Sequence, residues 1–311
     1  MKQASPRPVG PYKQNRLQQL RGFIHAAQLG SISRAASRMM LSQPSVSLQI
    51  QALERELGVK VFERRGPVIR LTPAGRRLLD LALPLVEGID GLAAEFTAAG
   101  DTMRGPLDIA AGEATILHVL PTVVTAFTRA HPGVDLRLHN VTGREGLSRL
   151  RRGDVDFAVG PMPDVPDDIA FLPLFESDPM LITPADHPLA RSRRITLESV
   201  ARHPLILPPP HLTTTPQISA AFRQRGLRYR VSLHAGGWEV IKRYVELGLG
   251  ISIVTAVCLT GRENLAAISM RRYLPRRTYG VVHRRGQSLT PQARQFIEML
   301  QPHARGSTAH T

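Results

Sequence analysis

Cysteine and long hydrophobic runs are scarce in this chain of 311 residues. Its single cysteine, Cys258, excludes an internal disulfide framework and fits a reducing compartment. The longest apolar stretch, residues 247–259, is too short to cross a bilayer, and the N-terminus lacks the hydrophobic segment of a signal peptide. We therefore expect a cytoplasmic protein with no membrane partner, in which Cys258 is a buried packing residue.

Motifs of common catalytic and metal sites are also lacking. The 11 histidines form no HxxxH pair, and CxxC, GxSxG, P-loop and strand-associated GxGxxG motifs do not occur. Asp154 and Asp156 stand two residues apart at a predicted turn, where capping is commoner than a carboxylate dyad. We predict no catalytic residue and no metal ion, so that the protein is not an enzyme.

Acidic residues are few: 25 against 40 Lys and Arg, which gives a formal net charge of +15. Such a charge favours a polyanionic partner, either nucleic acid or an acidic membrane surface. Residues 1–75 contain 12 Lys and Arg but only 3 Asp and Glu, so they carry more than half of the excess. This asymmetry favours a DNA-binding head on a nearly balanced body. The length of 311 residues predicts two to three domains.

Residues 31–58 predict two short helices joined by a tight connection. Ser42 can cap the second helix, Pro44 fits its first turn, and Leu41 and Val46 have the spacing of a hydrophobic staple. One apolar stripe follows and ends at Gly58. The stripe consists of Val46, Ile50, Leu53 and Leu57.

The opposite face of this second helix is polar and carries no acid before Glu54. Its residues are Gln43, Ser45, Ser47, Gln49 and Gln51. Short amide and hydroxyl side chains suit base edges in the major groove of DNA. The alternative is an ordinary solvated face of a helical hairpin.

Further elements are predicted on both sides of this pair. A helix with one apolar face precedes it and ends near Gly30, and residues 61–71 predict a β-hairpin with its turn near residues 65–67. Thr72 then caps a long helix with a heptad seam, which one helix alone cannot bury. The seam consists of Leu78, Ala82, Leu85, Ile89, Leu92 and Phe96. We expect it to pack against a second copy, and Pro84 to bend the helix.

Beyond residues 100–105, strands and helices alternate, which favours a mostly parallel α/β arrangement. We predict strands at residues 107–111, 135–141, 157–160, 180–183, 205–207, 229–235, 251–255 and 279–283. Helices are predicted at residues 117–130, 144–152, 216–224, 238–247 and 291–300.

Taken together, these residues resemble the LysR-type transcriptional regulators. The motifs that carry the resemblance are Gly30-Ser31-Ile32-Ser33, Ala35-Ala36, Ser42-Gln43-Pro44-Ser45-Val46-Ser47, Leu53-Glu54, Leu57-Gly58, Val61-Phe62, Arg64 and Thr72-Pro73-Ala74-Gly75. The implied fold class is α+β multidomain: a winged helix-turn-helix (15–73), a linker and dimerisation helix (74–104) and a two-half α/β effector domain like a periplasmic binding protein (105–303). The implied partners are double-stranded promoter DNA and further copies of the chain, as a homodimer that pairs into a homotetramer. A contact with RNA polymerase is compatible with this interpretation.

The resemblance places the predicted DNA contacts on the helix pair and on the wing. These residues are Ser33, Arg34, Arg38, Gln43, Pro44, Ser45, Ser47, Gln49, Arg64, Arg65 and Arg70. Glutamine amides can pair with adenine, whereas the arginines would meet phosphates or a narrow minor groove. For any single arginine, a solvated surface charge is the alternative.

Hydroxyl-bearing residues at three strand-to-helix turns predict an effector site for a small anion. The candidates are Thr115, Thr142, Thr213, Thr214, Thr215 and Trp238. For each threonine the alternative is a helix cap, and for Trp238 it is packing. Residues 203–206 and 240–245 resemble the CysB subgroup, regulators of sulfur assimilation, which implies a sulfate-like or acetylserine-like co-inducer and no other cofactor. Gly112 and Ala114 replace two threonines of that subgroup.

Two rival functions remain at this stage. The basic head, and an N-terminus without the hydrophobic segment of a signal peptide, argue against a solute-binding protein. A constitutive architectural protein with a ligand-blind α/β domain disagrees, more weakly, with the threonine-rich turns.

Overall fold

The computed structural model describes residues 15–65, 68–98, 103–192 and 194–306. The chain divides into two compact units. The first ends at Phe96 and includes Gly286–Ser288, and the second contains the remainder. Within the described segments, no helix is both long and apolar enough to cross a membrane.

The first unit opens with three helices, α1 (Arg16–Leu29), α2 (Ile32–Arg38) and α3 (Gln43–Leu57). Their ends follow from local sequence: the Ser42 hydroxyl accepts a hydrogen bond from the Ser45 N–H, and Gly58 ends α3 at φ 67°. Val46, Ile50 and Leu53 are buried as predicted, but Leu57 is 42% exposed and lies outside the core.

A hairpin follows, with β1 (Phe62–Arg65) antiparallel to β2 (Val68–Leu71). The predicted turn residues 66 and 67 lie outside the described residues. Helix α4 (Pro73–Ala98) begins after Thr72, whose hydroxyl accepts a hydrogen bond from the Gly75 N–H at 2.9 Å. The winged helix-turn-helix and the long helix are therefore present.

The predicted heptad seam is divided between two environments. Ala82 is buried and Leu78 half-buried in the core of the head itself, which contradicts a single seam facing a partner. The remaining apolar face is exposed, and its side chains are Leu81 (69%), Leu85 (66%), Ile89 (51%) and Leu92 (62%). The helix continues through Pro84, and the side chain of Phe96 lies outside the described residues.

The second unit contains two α/β halves, and the chain crosses between them twice. The first half has a five-stranded sheet in the order β4-β3-β5-β12-β6. Its strands are β3 (Gly105–Ala111), β4 (Val134–Asn140), β5 (Phe157–Pro161), β6 (Ile169–Ser177) and β12 (Arg277–Arg284). Its helices are α5 (Glu113–His118), α6 (Pro121–Ala130), α7 (Gly143–Arg152) and α11 (Pro291–Gly306).

The second half is built around a three-stranded sheet, β10-β7-β11, and a two-stranded sheet, β8-β9. Its strands are β7 (Pro179–Pro184), β8 (Leu205–Leu207), β9 (Val231–His234), β10 (Ser252–Thr255) and β11 (Leu265–Ser269). Its helices are α8 (Leu197–Ala201), α9 (Thr214–Arg223) and α10 (Trp238–Glu246), with short 3-10 helices at Pro188–Arg191 and Ala256–Cys258.

The expectation of a mostly parallel arrangement is wrong. β3 pairs in parallel with β4 and β5, but β12 is antiparallel to β5 and β6, and β7 is antiparallel to β10 and β11. Strands β6 and β11 and helix α8 were not predicted from the sequence, and the helix predicted at residues 117–130 is two helices, α5 and α6.

Candidate functional site

The front of helix α3 is polar, and its orientation is fixed from behind by the buried residues Val46 and Ile50. Gln43 and Pro44 are exposed, and Ser47 is half-buried. The first turn has no acidic residue. A helix N-terminus of this kind presents partial positive charge and uncharged hydrogen-bonding groups, as required for entry into a DNA groove.

Two of the predicted contact residues on α3 are engaged inside the head. The Ser45 hydroxyl lies 2.7 Å from that of Ser42 at the helix cap. Gln49 lies toward α1, where its Oε1 is buried and a methyl group on Gly22 would come within 2.9 Å of it. Gln49 would therefore have to change rotamer before its amide could reach a base.

The predicted residues on α2 are all exposed. Ser33 and Arg34 lie in its first turn and Arg38 in its last. The Arg34 guanidinium donates a hydrogen bond to the carbonyl of Leu29 at the end of α1. This contact holds the arginine close to the α1–α2 junction.

Glu54 fixes the wing to helix α3, a role that the sequence analysis did not assign. Its carboxylate is buried and accepts hydrogen bonds from the Val61 N–H at 3.0 Å and from Lys60 Nζ at 2.7 Å. Arg70 is exposed on β2, opposite Glu63. Arg64 and Arg65 lie on β1, but their side chains are outside the described residues. The only signal in the sequence was an acid directly after the buried Leu53.

Two of the predicted effector residues follow neighbouring parallel strands. Thr115 is in α5 after β3, and Thr142 precedes α7 after β4. Because β3 and β4 are parallel, both lie at the same edge of the sheet. Thr115 is 1% exposed, whereas Thr142 is exposed and its hydroxyl accepts a hydrogen bond from the Glu145 N–H at 3.4 Å.

The three threonines after β8 differ in their contacts. Thr213 is exposed and makes no side-chain cap hydrogen bond. The buried Thr214 hydroxyl accepts a hydrogen bond from Arg277 Nη2 at 2.6 Å. The buried Thr215 hydroxyl donates to the carbonyl of Pro208 at 2.6 Å. Thr213 is therefore the one exposed residue of the three, and its hydroxyl does not cap α9.

Trp238 begins α10 and packs, half-buried, against an apolar cluster that includes Ile206 and Ile241. The next residue, Glu239, accepts a hydrogen bond from His118 of the other half at 3.0 Å if Nε2 carries the proton. This pair joins α5 to α10 across the two halves.

A buried ion-pair network supports α10. Lys242 is 4% exposed and contacts Glu239 at 2.8 Å and Glu263 at 2.7 Å. Burial acts to lower the Lys242 pKa, but the two carboxylates reverse this and raise it. Against the opposing effect of burial, the hydrogen bond from Lys242 lowers the pKa of Glu263 to about 2. The neighbouring Cys258 is fully buried, as predicted, and burial raises its pKa.

Arg277, which was not singled out from the sequence, lies at a small cavity that is open to solvent. The cavity is lined by Pro179, Thr214, Gln217, Ile218, Ile253, Val254, Thr255, Leu274, Pro275 and Arg277. Thr214 is thus the one predicted effector residue in this lining. Across the described segments, no group of His, Cys, Asp or Glu has the arrangement of a metal site.

Comparisons with known proteins agree with both units. Residues 17–76 match the model of bacterial regulatory helix-turn-helix proteins of the LysR family, and residues 100–305 match that of the LysR substrate binding domain.

Curated relatives match along most of their length. The chain is 28% identical to the transcriptional regulator CysB of Haemophilus influenzae, over 93% of this chain and 90% of the relative. It is 34% identical to the transcriptional regulator cbl of Escherichia coli, over 91% of each chain.

Among solved structures, a full-length OxyR variant from Pseudomonas aeruginosa matches with a TM-score of 0.66 and 25% identity, over 94% of this chain and 96% of that one. The capped polar helix, the wing and the two-half α/β unit agree with these matches. The chain therefore belongs to the LysR family and is a DNA-binding transcription regulator.

Proposed function

We propose that this regulator recognises promoter DNA through α3 and the wing as a homodimer that pairs into a tetramer, and that it responds to a small anionic metabolite of sulfur metabolism. The observation that carries the DNA part is the polar, acid-free front of α3, held rigidly on a buried apolar face. The α/β unit then has a regulatory rather than a catalytic role, and the relatives CysB and cbl are themselves transcriptional regulators.

Base recognition is assigned chiefly to Gln43 and Ser47. Neither residue belongs to the buried core of the head, and a glutamine amide can form a bidentate pair with adenine. The exposed Arg38 and Arg70, together with Arg64 and Arg65 of the wing, are assigned to phosphate contacts. Base contacts would supply sequence discrimination, and the arginines would supply affinity for any duplex.

Gln43→Ala and Ser47→Ala should each weaken binding to a specific operator by about 1–3 kcal/mol while sparing binding to random DNA. The operator is first selected by the wild-type protein from a random duplex pool, and affinities for selected and scrambled duplexes are then measured at one salt concentration. Gln18→Ala, which removes an exposed glutamine from α1, is the matched control. Equal losses on both duplexes would contradict the assignment.

The effector part of the proposal rests on uncharged donors at strand-to-helix turns. Thr142 and Thr213 are exposed and follow different strands, in different halves of the unit. Neutral hydroxyl and N–H donors are well suited to an oxyanion. The similarity to CysB and cbl supports sulfur metabolism as the setting.

Thr213→Ala should weaken anion binding about tenfold or more, since a hydrogen bond to a charged ligand contributes about 1.5–3 kcal/mol. Because the Thr213 hydroxyl caps nothing, the melting temperature without ligand should not fall. Sulfate, thiosulfate, O-acetylserine, N-acetylserine and simple carboxylates are screened by thermal shift, and those that stabilise the protein are titrated by calorimetry. Thr128→Ala, on α6, is the control, and unchanged affinity in Thr213→Ala would remove this residue from the site.

A further inference from the structure

Two adjacent arginines at the second crossing between the α/β halves have opposite surroundings. Arg276 pairs with Glu176 at 2.6 Å and with Asp178 at 2.8 Å. Arg277 donates from Nη2 to two neutral oxygens, Thr214 Oγ1 at 2.6 Å and Gln217 Oε1 at 3.2 Å. Within the described part of the chain, no carboxylate forms an ion pair with Arg277.

An uncompensated guanidinium is costly at this position. Arg277 is half-buried, and its removal from water lowers its pKa. A buried charge is normally paired, because neutral acceptors replace only part of its lost hydration. Both protein hydrogen bonds of Arg277 leave from Nη2, so Nε and Nη1 can each still donate to another acceptor. The oxygen of a carboxylate or sulfonate can accept a charge-assisted hydrogen bond from either of these donors.

The cavity beside Arg277 has one polar and one apolar side. Its polar side is formed by Thr214, Gln217, Thr255 and Arg277. Its apolar side is formed by Pro179, Ile218, Ile253, Val254, Leu274 and Pro275. An inorganic oxyanion would satisfy the first side and leave the second against water, whereas an organic acid would satisfy both.

We propose that Arg277 binds the carboxylate or sulfonate group of a small organic acid, whose carbon skeleton packs against the apolar side of this cavity. The inference rests on the proposed response to an anion, and it names the residue that contacts the charged group of that anion. The site borders both crossings, since Pro179 follows the first and Pro275 precedes Arg277 in the second. A ligand held there contacts both strands that join the halves, so its binding energy can favour one arrangement of the halves over another.

The test uses the full-length protein with Arg277→Gln, Arg277→Lys and, as matched control, Arg276→Gln. The probes are acetate, butanoate, benzoate, methanesulfonate, butanesulfonate and sulfate, ranked by thermal shift and titrated by calorimetry. An organic acid with a carbon chain should bind wild type more tightly than sulfate. Arg277→Gln should weaken the binding of that acid about tenfold or more, and Arg277→Lys should retain part of the affinity. Arg276→Gln should leave the affinity unchanged.

The unliganded proteins supply a second readout. If Arg277 is kept for a ligand, Arg277→Gln removes a half-buried charge that has no carboxylate partner, and the melting temperature of the variant should equal or exceed that of wild type. A lower melting temperature together with unchanged affinity would show that the arginine only supports Thr214 and Gln217, and would overturn the inference.

The remaining outcomes separate this inference from the proposed function. If Thr213→Ala weakens the binding of sulfate and Arg277→Gln does not, the inference is overturned. The proposed anion response would still stand. If no anion stabilises wild type, both are wrong.

Discussion

The double substitution Leu85→Asp with Ile89→Asp is expected to dissociate the dimer. Both side chains are more than half exposed in the single chain, at 66% and 51%. The head should therefore remain folded, while two carboxylates would have to be buried in any helix–helix interface formed by this face. Sedimentation velocity should show a monomer at concentrations where the wild type is at least a dimer, and operator affinity should fall with it.

Arg76→Asp is the control for this experiment, because it changes the net charge by the same two units at an exposed position of α4 outside the apolar face. It should retain the assembly of the wild type. An intact dimer in the double variant, as opposed to loss of the tetramer alone, would show that copies associate through another surface.

Gly75→Ala should unfold the head far below the melting temperature of the wild type. A methyl group on Gly75 would lie 2.1 Å from the carbonyl oxygen of Val61, and this oxygen also accepts the hydrogen bond of the Thr72 N–H. Backbone atoms at this join cannot move without displacing both the wing and the start of α4. The expected cost is about 3 kcal/mol, at the upper end for overpacking. For a unit of this size it corresponds to a fall in Tm of roughly 10 °C or more.

Gly91→Ala tests whether steric conflict is the cause. It makes the same change in the same helix, where an added methyl group meets no atom within 4 Å. Alanine should stabilise α4 there by about 0.5–1 kcal/mol, since it loses less backbone entropy than glycine. Calorimetric unfolding would resolve the two cases, and similar melting temperatures for both variants would contradict the close packing of Gly75 against the wing.

The features that could be predicted from the sequence are mainly those fixed by near neighbours. The Ser42 cap, the Gly58 stop and the hairpin at residues 61–71 depend on a few adjacent residues. The heptad seam was only half right, because periodicity identifies an apolar face but not what will cover it. Ala82 and Leu78 turned out to pack against their own head.

The sheet of the first half shows where local reasoning fails. Strand β6 contains Pro173, which argues against a central strand, and the structure places β6 at the sheet edge, where proline is tolerated. A register shift opposite Tyr279 and Gly280 further disrupts its alternation of inward and outward residues. Its partner β12 lies far along the chain, after all the strands of the second half, so no local pattern specifies their antiparallel pairing.

The contacts of Arg277 could not be predicted from the sequence for the same reason, which is separation along the chain. Thr214 and Gln217 were visible near a predicted helix start, but their partner lies 63 and 60 residues further along the chain. In the sequence it is one of two consecutive arginines in a basic protein. Only the fold shows that Arg276 has carboxylate partners and Arg277 has none among the described residues.

Helix α4 has a consequence for the choice of operator. Its residues Ala82 and Val86 belong to the same core as Val46 and Ile50 of α3, so this part of α4 is packed into the head that carries α3. If two copies join through the opposite face of α4, the distance between their α3 helices is set by the angle at which the α4 helices cross. A few degrees of rotation at that crossing would change the distance between the two α3 helices relative to the repeat of about 34 Å in duplex DNA. The protein would then distinguish promoters by the spacing of their half-sites as well as by their bases.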